Sequence, residues 1–93
     1  MILTFKDSEA ERIFYLERSR KLPHEIQLVA LRKLRMLDNA ATLSDLMVPP
    51  ANRLEKLRGN RSDQYSVRIN ERWRICFEWK SGNALNVEIV DYH

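Results

Sequence analysis

The stretch Tyr65-Ser66-Val67-Arg68-Ile69-Asn70-Glu71-Arg72-Trp73-Arg74-Ile75-Cys76-Phe77-Glu78-Trp79 decides the fold of this 93-residue chain. Apolar side chains alternate with polar ones on both sides of a short polar break, which is typical of two β-strands with one buried face. A three-residue loop at residues 70–72 pairs Ile69 with Trp73, Val67 with Ile75 and Tyr65 with Phe77, so the apolar residues share one face. A two-residue loop would set apolar residues against polar ones. The stretch therefore predicts an antiparallel hairpin.

A third strand follows the same alternation in Val87-Glu88-Ile89-Val90-Asp91-Tyr92-His93. A loop at Ser81-Gly82-Asn83 pairs Phe77 with Val87 and Ile75 with Ile89. The polar face then collects three cross-strand pairs, namely Arg68 with Arg74, Cys76 with Glu88, and Arg72 with Tyr92. Two arginines directly opposite each other repel unless an anion lies between them. This pairing predicts a phosphate site.

The N-terminal half shows the longer period of helices. Residues 1–6 are predicted to form the first strand, and the first helix is capped either by the Ser8–Glu11 capping box or by Asp7. This helix buries Ala10, Ile13 and Phe14, with Leu16 as a further candidate, and ends around residues 19–21.

A second helix starts at Pro23 and ends at Asn39, with Ile26, Val29, Ala30, Leu34 and Leu37 at helical spacing. Thr42–Asp45 can open a short third turn. Val48–Asn52 is predicted to be extended because paired prolines disfavour a helix. Leu54 and Leu57 suggest a short strand, followed by a turn at Gly59-Asn60. We expect one α+β domain over residues 1–93, with an N-terminal strand and then two helices packed on one face of a mostly antiparallel, four- to five-stranded sheet.

Composition narrows the classes of function. Hydrophobic residues make up 44% of the chain and charged residues 31%, which fits a folded, water-soluble domain. No signal peptide or membrane-spanning run is apparent, and the single cysteine, Cys76, fits a reducing cytoplasm. His24, His93 and Cys76 stand at no metal-binding spacing, so we expect no metal and no cofactor.

Positive charge concentrates where the sheet begins. Residues 53–74 hold seven cations, six of them arginine, against three acids; the cations are Arg53, Lys56, Arg58, Arg61, Arg68, Arg72 and Arg74. The planar guanidinium fork suits phosphate. A solvated surface is the alternative, but the coincidence with the sheet favours a polyanionic partner.

The residues Asp91, Tyr92 and His93 can all transfer or hold protons, and they follow directly on a β-run. His93 has an ordinary pKa near neutrality, which suits a general acid. The alternative is that these side chains only anchor the strand. Their expected place beside the arginine face favours a catalytic role.

These motifs together resemble the HigB branch of the RelE/ParE toxin superfamily, also called plasmid-maintenance killer proteins. The resemblance rests on Asn52-Arg53-Leu54-Glu55, Ser66-Val67-Arg68-Ile69-Asn70, Trp73-Arg74-Ile75-Cys76-Phe77 and residues 87–93, and it extends over the chain. It implies an α+β fold and a bacterial, cytoplasmic toxin that cleaves messenger RNA in the ribosomal A site without a metal. It also implies a HigA-like helix-turn-helix antitoxin, through which alone the toxin would contact operator DNA.

By this resemblance Arg74 is the phosphate clamp, and Asp91, Tyr92 and His93 form the catalytic cluster. Glu55 stands where relatives carry a histidine, and a carboxylate could act as the base in its place. Arg58 matches a lysine near the scissile phosphate. The remaining RNA-binding candidates are Arg53, Lys56, Arg61, Arg68 and Arg72.

Two alternatives remain open at the level of sequence. A ParE-like relative would inhibit DNA gyrase without cleaving RNA, and it would have no need of proton-transfer groups next to Arg74. An RNA- or ribosome-binding growth inhibitor with weak or no cleavage is the other alternative. The residue Glu55, in place of histidine, is the feature that favours it.

Overall fold

The structure is a computed structural model, and it describes residues 1–61 and 63–91. Two helices precede a four-stranded antiparallel sheet with strand order β1-β2-β3-β4. The elements are α1 (Ser8–Phe14), α2 (His24–Asn39), β1 (Glu55–Lys56), β2 (Gln64–Arg68), β3 (Trp73–Lys80) and β4 (Asn83–Asp91). Short 3₁₀ turns occupy Leu43–Met47, Pro50–Asn52 and Gly59–Arg61. The predicted α+β architecture is confirmed. No helix in the two described ranges is long and apolar enough to cross a membrane.

Both helices pack on one face of the sheet. The core joins α1 and α2 to alternate residues of the strands, and it comprises Ala10, Ile13, Ile26, Ala30, Leu34, Leu37, Ala40, Leu46, Val67, Ile69, Ile75, Phe77, Ala84, Val87 and Ile89. Phe77 is fully buried at its centre, with Tyr65 stacked on one side and the edge of Trp79 on the other. Because side chains alternate along a strand, the residues between these core positions lie on the opposite face, which we call the open face.

Helix α1 is shorter than the sequence suggests. Asp7 is its N-cap, with Oδ1 accepting a hydrogen bond from the Glu9 amide at 2.9 Å, so the second of the two capping alternatives is the observed one. The helix ends at Phe14, not at residues 19–21. Leu16 takes a left-handed backbone conformation (φ 65°), and the amides of Leu16 and Glu17 bond the carbonyls of Ile13 and Arg12. This Schellman motif stops the helix and leaves Leu16 exposed instead of buried.

The N-terminal segment lies along the free edge of β4. Ile2 and Phe5 form isolated parallel bridges with Ala84 and Val87, held by four backbone hydrogen bonds, so the predicted first strand is reduced to two bridges. The pairing of this segment with β4 is interrupted between the two bridges, because the Asn86 amide donates to the Thr4 hydroxyl at 2.8 Å and not to a backbone carbonyl. Four strands therefore carry the sheet.

The segment before the sheet is tightly folded. Helix α2 begins one residue after Pro23, which is its N-cap, and ends at Asn39 as predicted. Thr42 and Asp45 form a capping box on the first 3₁₀ turn. The extended conformation predicted for Val48–Asn52 is wrong at its end, since residues 50–52 form a 3₁₀ turn. Pro50 permits this turn because the first residue of a helix needs no amide donor.

The first hairpin has the predicted register. Arg68 faces Arg74, Val67 faces Ile75, and Tyr65 faces Phe77. The Ile69 amide bonds the Trp73 carbonyl at 2.9 Å, which closes the three-residue turn.

The second hairpin differs from its prediction near the turn. Ile75 pairs with Ile89 and Cys76 with Glu88 as predicted, but Lys80 pairs with Asn83 across a two-residue turn of Ser81 (φ 51°) and Gly82 (φ 78°). The register shifts between Cys76 and Glu78, so Phe77 and Val87 are not a regular pair. Asn86 (φ 52°) lies in the irregular part of β4, and an extra residue there restores the inward direction of Val87.

Candidate functional site

A cleft on the open face of the sheet contains the Arg68–Arg74 pair. Its volume is about 250 Å³, and it is lined by Arg53, Glu55, Arg68, Asn70, Glu71 and Arg74. Four of the residues predicted from sequence to act on RNA therefore lie around one cleft. Asn70 and Glu71 belong to the turn between β2 and β3 and complete its rim.

Arg74 is the most constrained charged group of the cleft. Its side chain is only 8% exposed. The Nε atom donates to the Ser66 hydroxyl at 2.8 Å, and Nη2 donates to the Arg53 carbonyl at 2.6 Å and to the Ser66 carbonyl at 3.4 Å. Burial of a guanidinium, which stays protonated, is tolerated only with such acceptors. The guanidinium is therefore held in a fixed orientation by acceptors that are mostly neutral.

The neighbouring carboxylate belongs to Glu55 on β1. Its Oε1 lies 3.6 Å from Nη1 of Arg74, and the side chain is 54% exposed. Glu55 pairs with Ser66 across the sheet, so both residues lie on the open face next to Arg74. A solvent-accessible carboxylate beside a fixed cation can accept a proton from a substrate hydroxyl while the cation binds an adjacent phosphate.

The backbone of Arg53 helps to hold the Arg74 guanidinium in place. Arg53 has a left-handed conformation with φ 44°, which costs on the order of 1–2 kcal/mol for a residue with a side chain. Its carbonyl accepts one of the Arg74 bonds, while its side chain is exposed and lines the cleft. The strained backbone conformation is thus found at a residue that contributes both its carbonyl and its side chain to the site.

Asp91 lies elsewhere. It faces Trp73 on β3 and shares the parity of the core residue Ile89, whereas Arg74 faces Val90. Its carboxylate accepts from Nε and Nη2 of Arg72, the shortest distance being 2.7 Å, and this pairing raises the pKa of the Arg72 guanidinium. Arg72 also lies over the ring of Trp73, 5.7 Å from its centroid. The structure therefore does not bring Asp91 and Arg72 into the cleft.

The remaining candidates are dispersed. Lys56 faces Tyr65, so it lies on the helix side of the sheet. Arg58 is exposed just beyond β1, and Arg61 ends the third 3₁₀ turn. Tyr92 and His93 lie outside the described residues. The predicted pairing of Arg72 with Tyr92 therefore lies outside them as well.

The sequence does not single out two residues that contribute to the site, Ser66 and Asn70, or the buried Asn52 beside it. The alternation in residues 65–69 predicts that Ser66 lies on the polar face, yet Ser66 is fully buried and accepts from Arg74 through its hydroxyl and its carbonyl. Asn70 accepts from the amides of Arg72 and Trp73, both at 2.8 Å, and so fixes the turn at the rim. Asn52 was read as part of a linker but is 1% exposed. A buried polar residue cannot be recognised by type alone, since its partners come from distant segments.

A larger cavity of about 1040 Å³ lies between α1 and α2, on the other side of the sheet. Its lining includes Arg12, but that guanidinium is flanked by Glu9 at 3.7 Å and Glu17 at 3.5 Å. It has no buried, fixed cation comparable with Arg74. We therefore assign the functional site to the smaller cleft. Among residues 1–61 and 63–91, no three histidine, cysteine or acidic side chains are grouped so that they could hold a metal ion.

Comparison with known proteins identifies the family of the chain. Residues 3–93 match the family model of HigB-like toxins, described as RelE-like toxins of type II toxin–antitoxin systems. The chain is 42% identical over 87 residues to Toxin HigB-1 of Vibrio cholerae, which covers 92% of each protein. It is 30% identical over 61 residues to Endoribonuclease HigB of Proteus vulgaris, covering 66% of this chain and 65% of that protein. An uncharacterized protein of Haemophilus influenzae is 32% identical over 90 residues, covering 96% of this chain and 88% of that protein.

Proposed function

Because the chain belongs to the HigB-like toxins of type II toxin–antitoxin systems, we propose that it is a ribosome-dependent endoribonuclease that cleaves messenger RNA in the ribosomal A site. One observation carries the proposal most directly. A buried guanidinium, that of Arg74, is fixed 3.6 Å from the exposed carboxylate of Glu55 in a cleft rimmed by further arginines. The relative from Proteus vulgaris, named an endoribonuclease, supports the same reaction class.

The chemistry proposed for the cleft is transesterification at phosphorus. Glu55 takes the proton of a ribose 2′-hydroxyl, whose oxygen then attacks the adjacent phosphorus. The bond to the 5′-oxygen breaks, and the products are a 2′,3′-cyclic phosphate and a 5′-hydroxyl. Arg74 stabilises the negative charge that grows on the phosphoryl oxygens.

The departing 5′-oxygen needs a proton. We assign this role to His93, whose ordinary pKa lies near neutrality, and we assign to Tyr92 the orientation of the nucleotide. Asp91 was placed with them by resemblance. Its bidentate pair with Arg72 supports a different role, in which Asp91 joins the end of β4 to the β2–β3 turn.

RNA binding outside the reacting phosphate is assigned to the basic side chains around the cleft. Arg53 and Arg68 line it, and we assign to them contacts with the flanking phosphates. Arg58 and Arg61 follow β1 and extend the positive charge along the chain. Lys56 and Arg72 lie outside the cleft, so we assign to them contacts with other parts of the ribosome–message complex.

A toxin of a type II system has a protein antitoxin. We propose that the partner here is a HigA-like helix-turn-helix protein, and that operator DNA is bound only by the complex of the two proteins. The proposed site of action is the bacterial cytoplasm, where translating ribosomes present the message.

A second function is favoured by one observation. Asp91 is paired with Arg72 and does not lie in the cleft with Arg74, so one member of the proposed catalytic cluster is missing there. A ribosome-binding inhibitor that does not cleave RNA fits this arrangement. A ParE-like gyrase inhibitor is less well supported, because it gives no role to the juxtaposed Glu55 and Arg74.

Induction of the toxin in growing bacteria separates the three functions. For the proposed enzyme we expect growth arrest together with new 5′-hydroxyl ends inside translated reading frames, while plasmid supercoiling stays unchanged. Arrest with intact transcripts and relaxed plasmid would indicate gyrase inhibition instead. Arrest with intact transcripts, normal supercoiling and stalled ribosomes would indicate binding without cleavage.

A further inference from the structure

We propose that Asn52 and Lys33, neither of which lies in the cleft, are positioning residues that hold the Arg74 guanidinium through the backbone carbonyl of Arg53. The inference rests on the proposed function for its effect on cleavage. Its geometric part can be tested without any activity.

Both polar atoms of the buried Asn52 side chain are hydrogen-bonded. The residue is 1% exposed. Its Nδ2 donates to the carbonyls of Leu46 at 3.1 Å and Val48 at 3.4 Å, and its Oδ1 accepts from Lys33 Nζ at 2.5 Å. A buried amide with all these bonds fixes the segments that provide them. Asn52 therefore anchors the residues 46–53 as one unit.

Lys33 connects this unit to α2. The ammonium group reaches Asn52 from a partly buried position, and burial, together with the charge of Arg32, lowers the pKa of Lys33. A charged donor forms a stronger hydrogen bond than a neutral one. The helix that packs on the core thereby also holds the loop that precedes β1.

The connection to Arg74 runs through the next residue. Asn52 ends the second 3₁₀ turn, in which its amide bonds the Pro49 carbonyl at 2.9 Å and the Arg53 amide bonds the Pro50 carbonyl at 3.0 Å. Arg53 then turns left-handed at φ 44° and directs its carbonyl to Nη2 of Arg74 at 2.6 Å. A strained conformation of this kind persists only where the surrounding structure enforces it. The Asn52 anchor supplies that constraint.

This connection predicts a specific kinetic effect. Without the anchor, the Arg53 carbonyl can relax away, and the guanidinium loses one of the acceptors that fix its orientation. Misplacement of a reacting group by about 1 Å can cost on the order of 10²-fold in rate. We expect Asn52→Ala to lower the single-turnover cleavage rate on ribosomes by about 10- to 100-fold, while the concentration of toxin that half-saturates the ribosomes stays unchanged.

A double-variant experiment separates positioning from general damage. In an Arg74→Ala background, Asn52→Ala should change the residual rate by less than about two-fold, because the group on which it acts is gone. Gln27→Ala is the matched control, since Gln27 also holds a loop with its side-chain amide, bonding Ser19 and Leu22 far from the cleft. It should lower stability but not the rate of the folded enzyme. An equal rate loss from Asn52→Ala with and without Arg74 would overturn the proposal.

The position of Arg74 can also be measured directly. In ¹⁵N NMR spectra of the free protein, the Arg74 Nη2–H signal should be protected from solvent exchange in wild type and in Gln27→Ala, and should shift and exchange faster in Asn52→Ala, because Nη2 donates to the Arg53 carbonyl. If Asn52→Ala does not fold, Lys33→Met is used instead, since it leaves the Leu46 and Val48 bonds in place. An unchanged Arg74 signal in either folded variant would refute the inference. A changed signal in a protein whose wild type cleaves no RNA would instead refute the proposed function alone.

Discussion

The guanidinium of Arg74 and the carboxylate of Glu55 lie 3.6 Å apart, the first almost wholly buried and the second more than half exposed. This difference in exposure separates their roles. The buried group is fixed by Ser66 and the Arg53 carbonyl, so it can stabilise charge without reorganising. The exposed group is accessible to an incoming ribose hydroxyl.

The role of Glu55 as the base can be tested by conservative replacement. Glu55→Gln should lower the cleavage rate by about 10²-fold or more, which is the usual contribution of a general base. The free energy of unfolding of this variant should differ from that of wild type by no more than about 0.5 kcal/mol, because the Glu55 side chain is more than half exposed. Glu55→His should restore cleavage with a rate that falls below about pH 6.5, where the imidazole is protonated. A full rate in Glu55→Gln would exclude Glu55 as the base.

Replacing Arg74 should lower the cleavage rate and the stability far more than replacing Arg68, which faces it across the hairpin. Arg74→Ala should reduce the rate by about 10²–10³-fold and destabilise the fold by about 1–3 kcal/mol, since the Ser66 hydroxyl and Arg53 carbonyl lose their donor. Arg68→Ala removes the same charge from a less buried position on the neighbouring strand and should cost much less in both measurements. Equal rate losses in the two variants would show that only the total charge counts.

Asp91 is expected to stabilise the end of β4 rather than to react. Asp91→Asn should lower the melting temperature slightly at low salt, and the difference should fade at high salt, because the pair with Arg72 is exposed. Cleavage should fall much less than in Glu55→Gln. Loss of cleavage in a folded Asp91→Asn protein would restore the catalytic role that the resemblance implies.

The capping box of the first 3₁₀ turn should make stability depend on pH. Hydrogen bonds from the amides of Thr42 and Ala41 lower the pKa of Asp45 below its ordinary value of 3.8. A carboxyl group with a lowered pKa stabilises the fold above its unfolded pKa and loses this effect as the pH falls through the folded pKa. Asp45→Asn should therefore lower the melting temperature at pH 7, and the difference from wild type should shrink below about pH 4. A constant difference down to pH 2 would contradict this assignment.

The sheet was predictable where alternation alone decides the pairing. Val67 and Ile75 face each other as the pattern requires, because any other register would expose the core side chains. The turn at Ser81-Gly82 was not predictable in the same way. A two-residue turn followed by an extra residue near Asn86 directs the same side chains of β4 toward the core as a three-residue turn would. The alternation of apolar and polar residues therefore does not distinguish the two turns.

The site was predictable only in part, because some of its contacts come from segments that are distant in the sequence. Arg74 and Glu55 are recognisable by their residue types and by their positions on the strands. The support from Asn52 depends on a lysine 19 residues earlier and on a left-handed residue after it, neither of which shows a local signal. The separation of Asp91 from Arg74 follows from side-chain parity at the end of β4, where the pairing partner of Asp91 is Trp73.

Purified toxin and ribosomes programmed with a defined message give the decisive test of cleavage in the A site. Ribosomes carry a known codon in the A site, and the positions of the cuts are mapped for wild type, Arg74→Ala and Arg68→Ala, with the same message free of ribosomes as a control. We expect cleavage within the A-site codon only on ribosomes, with a 5′-hydroxyl product, and a rate about 10²–10³-fold lower for Arg74→Ala. Intact message on ribosomes that bind the wild-type toxin would contradict the proposed reaction, and cleavage at an undiminished rate by folded Arg74→Ala would contradict the role of this residue.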